Sequence, residues 1–227
     1  MPRPPSARPR GPKPQRMEAD QLLDAAQEVF SREGLRAASL RAIARQAGCD
    51  PALIYYHFDS KEAMFTALLD RRFPPVIREL TRLAEPSDTR PTILRLWEVL
   101  GIYHRHLGGD PGIRSLVRGE IVRGTEGIQE RIQERMVAAA SQVRNLLEQG
   151  IARGEVRPDL HPLLSTFFFV KLHLEILDVL PMVAPRILAT PPATAVLEAE
   201  RGWLHLFWRG IATAPDAPLP PLPDLDA

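Results

Sequence analysis

Cysteine is nearly absent: the 227-residue chain has one, Cys49, so no internal disulfide framework holds it together. Lysine is almost as scarce, occurring only at 13, 61 and 171, and arginine supplies the rest of the 29 basic residues. That skew reflects a GC-rich coding preference more than chemistry. No apolar run is long enough for a membrane: the most apolar stretch, 162–185, is interrupted by Lys171, His173, Glu175 and Asp178, which excludes a transmembrane span. No basic segment followed by an apolar one directs export, so the expected location is cytoplasmic. Catalytic signatures are missing too. There is no Gly-rich phosphate loop, no nucleophile elbow and no HExxH. His57, His104, His106, His161, His173 and His205 are scattered without metal-ligand spacing, and His104 and His106 point to different sides of a helix. They read as ordinary surface histidines. Glu120, Glu175 and Asp178 lie in apolar surroundings, but nothing pairs them as an acid and a base. The chain reads as a binder and not an enzyme, with no metal and no cofactor.

What is present is helix. Apolar residues make up 44% of the chain, enough for one extended core or two small ones. Their spacing of three and four predicts helices at about 17–33, 61–84, 92–107, 111–123, 125–153, 160–180 and 191–212. Pro74–Pro75 should kink or break the helix at 61–84, either as a hinge or as a plain boundary between two helices. Residues 1–16 carry Arg3, Arg8, Arg10, Lys13 and Arg16 and no acid, so the net charge of +1 leaves the remainder acidic. Such a Pro-rich arm could reach phosphates or a minor groove, or be a disordered tail without a dedicated role. The Pro-rich end, 214–227, is expected to be disordered as well.

The most informative stretch is SLRAIARQAGCDPALIYYHFDSK, Ser39 to Lys61. Leu40, Ile43, Ala44 and Ala47 face inward at helical spacing, leaving Arg41, Arg45 and Gln46 outside. Ser39 suits the N-cap, and Gly48 the left-handed residue that closes the helix. Asp50 then caps a second helix, with Pro51 at its first position. Ile54 and Phe58 bury one face. Ala52 and Tyr56 lie opposite with Tyr55 on the flank, and small Ala52 allows close approach to base edges. A third helix starts at Asp59 or Ser60. Cys49, at the turn, reads as a small buried hydrophobe in preference to a redox sensor. The pattern is a helix-turn-helix.

The residues FSREGLRAASLRAIARQAGCDPALIYYHFDSKEAMF, with Phe30 and Gly34 ending helix one, Ala47–Gly48 at the turn and Tyr55-x-His57-Phe58-x-x-Lys61, resemble the DNA-binding domain of the TetR family of bacterial transcriptional regulators. The resemblance covers residues 18 to about 70. It implies an all-α fold: an N-terminal three-helix helix-turn-helix domain plus a C-terminal helical effector-binding and dimerisation domain. The expected organisation is a basic arm at 1–16, a DNA-binding domain at 17–64, a ligand-binding and dimerisation domain at 65–213, and a tail at 214–227. The family often has Thr or Ser where Ala38 stands, and Ser–Lys–Gly-like residues at Asp50–Pro51–Ala52, so the operator sequence is not legible.

Partners follow from both sources. Double-stranded operator DNA should meet Ser39, Arg41, Pro51, Ala52, Tyr55, Tyr56, His57 and Lys61. Tyr55, His57 and Lys61 are assigned to phosphates by the resemblance, while Arg41 and Tyr56, projecting from the buried face, are the base readers. Helices 160–180 and 191–212 are apolar around more than one face, a surplus that a homodimer would bury. An unidentified small effector, hydrophobic or amphipathic, is expected in a pocket lined by Trp97, Tyr103, Leu116, Met136, Phe168 and His173. The chain is thus expected to be a repressor released from a palindromic operator by that effector. The alternative is a DNA-bound architectural or adaptor protein whose body binds another protein.

Overall fold

The computed structural model describes residues 18–187 and 191–223; the basic arm, Met17 and the last four residues lie outside them. The described residues form nine α-helices: α1 Ala19–Ala37, α2 Leu40–Ala47, α3 Pro51–His57, α4 Lys61–Leu83, α5 Thr92–Tyr103, α6 Pro111–Arg123, α7 Glu126–Ala152, α8 Pro162–Ile187 and α9 Pro192–Ile211. A π-helical turn, His104–Gly108, continues α5. The fold class is the one the periodicity implies.

Local chemistry accounts for most boundaries. The Ser39 hydroxyl accepts from the Ala42 N–H at 3.2 Å, and Gly48 closes α2 at φ 68°. Asp50 accepts from the Ala52 N–H at 2.8 Å, with Pro51 opening α3. Of the two starts offered for α4, Ser60 is the cap, accepting from Ala63 at 3.0 Å. Helix α8 opens at Pro162, where the Leu164 N–H reaches His161 Nδ1 at 3.4 Å.

Two expectations change. There is no break at Pro74–Pro75: helix α4 runs through both prolines. Apolar burial on both sides of the prolines, by Leu68 and Leu69 before and Val76 and Leu80 after, outweighs the missing N–H groups. The C-terminal segment is not loose over 214–223. Leu219 and Leu222 pack on the core, and the Trp97 indole donates to the Pro223 carbonyl at 2.8 Å. Its prolines suit an extended strap because they leave no backbone donor unmet.

Two cores organise the helices. One joins α1–α4 through Leu22, Ala26, Val29, Phe30, Ile43, Ile54, Phe65 and Leu68, and takes in Ile113 and Leu116 of α6 with Ile128 and Ile132 of α7. A domain boundary at residue 64 would therefore cut through continuous packing. The second core unites α5, α7, α8, α9 and the end of α4 around Trp97, Leu100, Val143, Leu147, Phe169 and Leu204. Gly150 lets α7 close on α5: a Cβ there would stand 2.7 Å from Val156 Cγ2 and 2.9 Å from Thr92 Oγ1. At the base, an isolated antiparallel bridge, Val156 to Ala212, ties the turn after α7 to the end of α9.

Candidate nucleic-acid interface and effector site

Helix α3 buries Ile54, packs half-buried Leu53 against the same core and offers its other face outward. Tyr55 is 59% and Tyr56 82% exposed, with Ala52 and His57 exposed beside them. A tyrosine so exposed on a helix carries no packing function, so its ring and hydroxyl are available to a partner. The Tyr56 and His57 rings meet edge to face at 5.0 Å, which fixes the orientation of both. Arg41 and Arg45, one turn apart on α2, are exposed on that helix's outer side.

Lys61 is placed differently from a free phosphate ligand. Its ammonium donates to the Arg36 carbonyl at 2.7 Å and the Ala38 carbonyl at 3.1 Å, clamping the end of α1 to the start of α4. One of its three protons remains for a phosphate. Ala38 is buried, so its methyl belongs to the core and not to the DNA-facing side. The Cys49 thiol is half-buried, and burial, with the Asp50 charge adding, pushes its pKa up. It stays protonated, as a small hydrophobe would.

The six expected effector-lining residues do not surround one cavity. Leu116 faces α1 and belongs to the DNA-binding core. Met136 of α7 is 44% exposed, and Phe168 of α8 is 60% exposed because the inward position on that turn is taken by its neighbour Phe169. Trp97 is buried, with the Arg201 guanidinium 5.9 Å above its ring. Only Tyr103 and His173 meet, their rings 6.0 Å apart. Two shallow, open surface hollows lie elsewhere, one along α7 at Glu130–Val137 and one beside Glu79, Arg90 and Glu98.

His57 and His161 are exposed as expected, but His173 departs from the surface reading. His173 is fully buried, 3.5 Å from a Glu200 carboxylate oxygen, and His104 Nδ1 lies 3.2 Å from the same oxygen. His106 turns the other way, to Glu79 at 2.6 Å. Glu200 escaped the sequence reading because one acid in an amphipathic helix looks like any solvated acid. The signal was its position three residues before Trp203 and seven before Phe207, on the apolar face.

Burial pushes the His173 imidazole down to about 3, aided by the charges of His104 and Arg114. The native state therefore refuses a proton that the unfolded chain accepts near 6.5. Stability should rise with pH across that window and be lost progressively as pH falls from about 6.5 toward 3. Urea midpoints measured against pH should show a shallower acid limb in His173→Gln than in the parent. Equal limbs would assign the acid sensitivity to other groups.

Comparison with known proteins places this arrangement. The family of bacterial regulatory proteins described as tetR matches residues 22–68. The HTH-type transcriptional regulator UidR of Escherichia coli K12 is 25% identical over 154 residues, spanning 66% of this chain and 75% of UidR. Among solved structures, the transcriptional regulator FadR from Bacillus subtilis in complex with stearoyl-CoA aligns with a TM-score of 0.70 at 21% identity, over 86% of this chain and 100% of that one. SmeT, repressor of the Stenotrophomonas maltophilia multidrug efflux pump SmeDEF, aligns at 0.63 and 22% identity, over 92% and 98%; its complex with triclosan aligns at 0.66. Sequence motif and helix-turn-helix geometry agree over residues 22–68, which are similar to bacterial regulatory proteins of the tetR family, and the whole chain shares the all-helical fold of these solved regulators.

Proposed function

We propose that the protein is a dimeric repressor, held on a palindromic operator by α2 and α3 and released when a small hydrophobic or amphipathic molecule enters the body. The observation that carries this reading is the pairing of an exposed aromatic recognition helix with an unpartnered apolar face on α8. Leu164, Phe168, Leu172 and Val179 lie along one side of α8, all more than 40% exposed, and Leu206 of α9 is 70% exposed. A face of this kind suits an isologous contact with a second copy, which would set two recognition helices at a fixed spacing. The complexes of FadR with stearoyl-CoA and SmeT with triclosan support an amphipathic effector.

Helix α6 is the natural route between body and DNA. Asp110, its cap, accepts from Gln27 of α1 at 2.6 Å and pairs with Arg72 of α4 at 2.9 Å. Four residues on, Arg114 binds Asp178 of α8 and donates to the Leu177 carbonyl at 3.1 Å. A ligand that shifts α8 thereby moves a helix bonded to both α1 and α4. Release follows if the liganded dimer no longer matches the half-site spacing.

Selection of bound genomic fragments, followed by footprinting, tests the assignment. A palindromic footprint and steeply salt-dependent affinity are expected. Arg41→Ala should cost about 1–3 kcal/mol at the operator and relax sequence preference, whereas Lys61→Ala should weaken all sites alike. Equal loss at every sequence in Arg41→Ala would remove its base-reading role. The adaptor reading draws on further exposed apolar side chains, Val122 of α6 and the adjacent pair Met136 and Val137 of α7. It would prevail if operator binding proved insensitive to every amphipathic molecule tried while a protein partner bound there.

A further inference from the structure

Between α8 and α9 the body encloses polar groups that its own packing leaves unmatched. Glu200 is fully buried; one carboxylate oxygen faces His104 and His173, and the other, Oε2, has no hydrogen-bond partner among the described residues. Both ring nitrogens of His173, the Thr166 hydroxyl and the Trp203 indole nitrogen are in the same condition. Thr166 and His173 lie two turns apart on one face of α8, with Phe169 between them, and Glu200, Trp203 and Phe207 follow one another along α9. Phe169 stacks against Trp203 at 6.4 Å and meets Phe207 at 4.9 Å. The result is a polar stripe inside an aromatic wall.

Such a stripe is costly when closed, since a buried acceptor without a donor forfeits its hydration and gains nothing in return. Opening α8 from α9 around a guest would be favoured by the same unmade bonds. The chemistry of the guest follows from which groups are short of a partner. The nearby cations are engaged elsewhere: Arg114 binds Asp178 and the Leu107, Gly108 and Leu177 carbonyls, and Arg201 lies over Trp97. His173 stays neutral through burial. What Oε2 lacks is a donor, and a cationic donor most of all. A carboxylate or thioester head would bring only a further acceptor to an oxygen that already lacks a donor.

We infer that this stripe is the head-group subsite of the effector, and that it takes an apolar molecule bearing a protonated amine, with the amine on Glu200 Oε2 next to His173 and the tail along Phe169, Trp203 and Phe207 toward Thr166. The inference rests on the effector reading of the body given above. It also separates this protein from its structural neighbour FadR, which was solved with stearoyl-CoA.

Three probes with one tail and different heads test it: decylamine, decanol and decanoate, below their micellar concentrations. Each is titrated into the full-length protein by calorimetry, and operator release is followed in parallel. Decylamine should bind at least about tenfold more tightly than decanoate, with decanol between them, since a desolvated charge pair discriminates by that much or more. Glu200→Gln should erase the preference for the amine, while Glu198→Gln, an exposed acid on the same helix, should keep it. Decanoate binding as well as decylamine, no decylamine binding at all, or loss of preference in both variants would overturn the proposal. Should Glu200→Gln fail to fold, the ranking of heads in the parent protein decides alone. Decylamine binding without operator release would leave the subsite standing and remove the effector reading. Release by an acyl thioester with no amine binding would do the reverse.

Discussion

Phe168→Glu is expected to turn the proposed dimer into monomers and to abolish operator binding at concentrations where the parent is saturated. Phe168 is 60% exposed in a single chain and lies in the row of Leu164, Leu172 and Val179, against the ring of Phe167 at 5.9 Å. A ring that large stabilises mainly by leaving water, and in an isologous contact each substitution is made twice. Two lost rings and two acids brought toward one apolar seam should raise the dissociation constant about a thousandfold or more. The exposed position means that the helices themselves should not suffer, so circular dichroism should be unchanged. Operator affinity falls with the dimer, because each half-site then binds without the second held nearby. Sedimentation gives the answer directly. A variant that sediments as the parent does would place the interface on another face.

Arg95→Ala should destabilise the body by roughly 3 kcal/mol, the largest single loss expected away from the apolar cores. Arg95 has no solvent exposure at all. Its guanidinium donates from Nε at 3.0 Å and Nη2 at 2.6 Å to the Leu83 carbonyl, the last residue of α4, and lies 3.7 Å from Asp88. It thus caps one helix from the first turn of the next. Truncation leaves a buried carbonyl without a donor and a hole the length of the side chain. Asp88 itself would be less affected, since the Arg90 side chain binds it and holds its carboxyl down at about 2. Urea denaturation should show a lower midpoint at unchanged slope. An unchanged midpoint would mean that water replaces the guanidinium without penalty.

The extent to which this molecule could be read from its residues differs between its two cores. The helix-turn-helix was legible down to single caps, because Ser39, Gly48, Asp50 and Pro51 act on the backbone within three residues of themselves. Exposure of Tyr56 followed from the same local periodicity. The body was legible as helices but not as a site. Phe168 and Phe169 are indistinguishable in a run of phenylalanines, and only the crossing of α9 decides which of them is inside. Leu116 is a similar case: α6 carries apolar residues on more than one side, and their destination depends on a helix ninety residues earlier in the chain. Arg95 and Glu200 were invisible for a common reason, since a charged residue in a helix is solvated by default and nothing nearby in sequence contradicts that default.

The sharing of Ile113, Leu116, Ile128 and Ile132 with the DNA-binding core bears on how such regulators can be recombined. A graft that moved residues 18–64 onto another effector-binding body would import the inner face of one wall and leave the opposing wall behind. The transplanted module would then rest on foreign side chains at α6 and α7, and its tilt would depend on their fit and not on ligand. A sensor built in that way should bind its operator constitutively or not at all. The exchangeable unit in this chain is the helix-turn-helix together with the residues of α6 and α7 that it rests on, although they lie far apart in sequence.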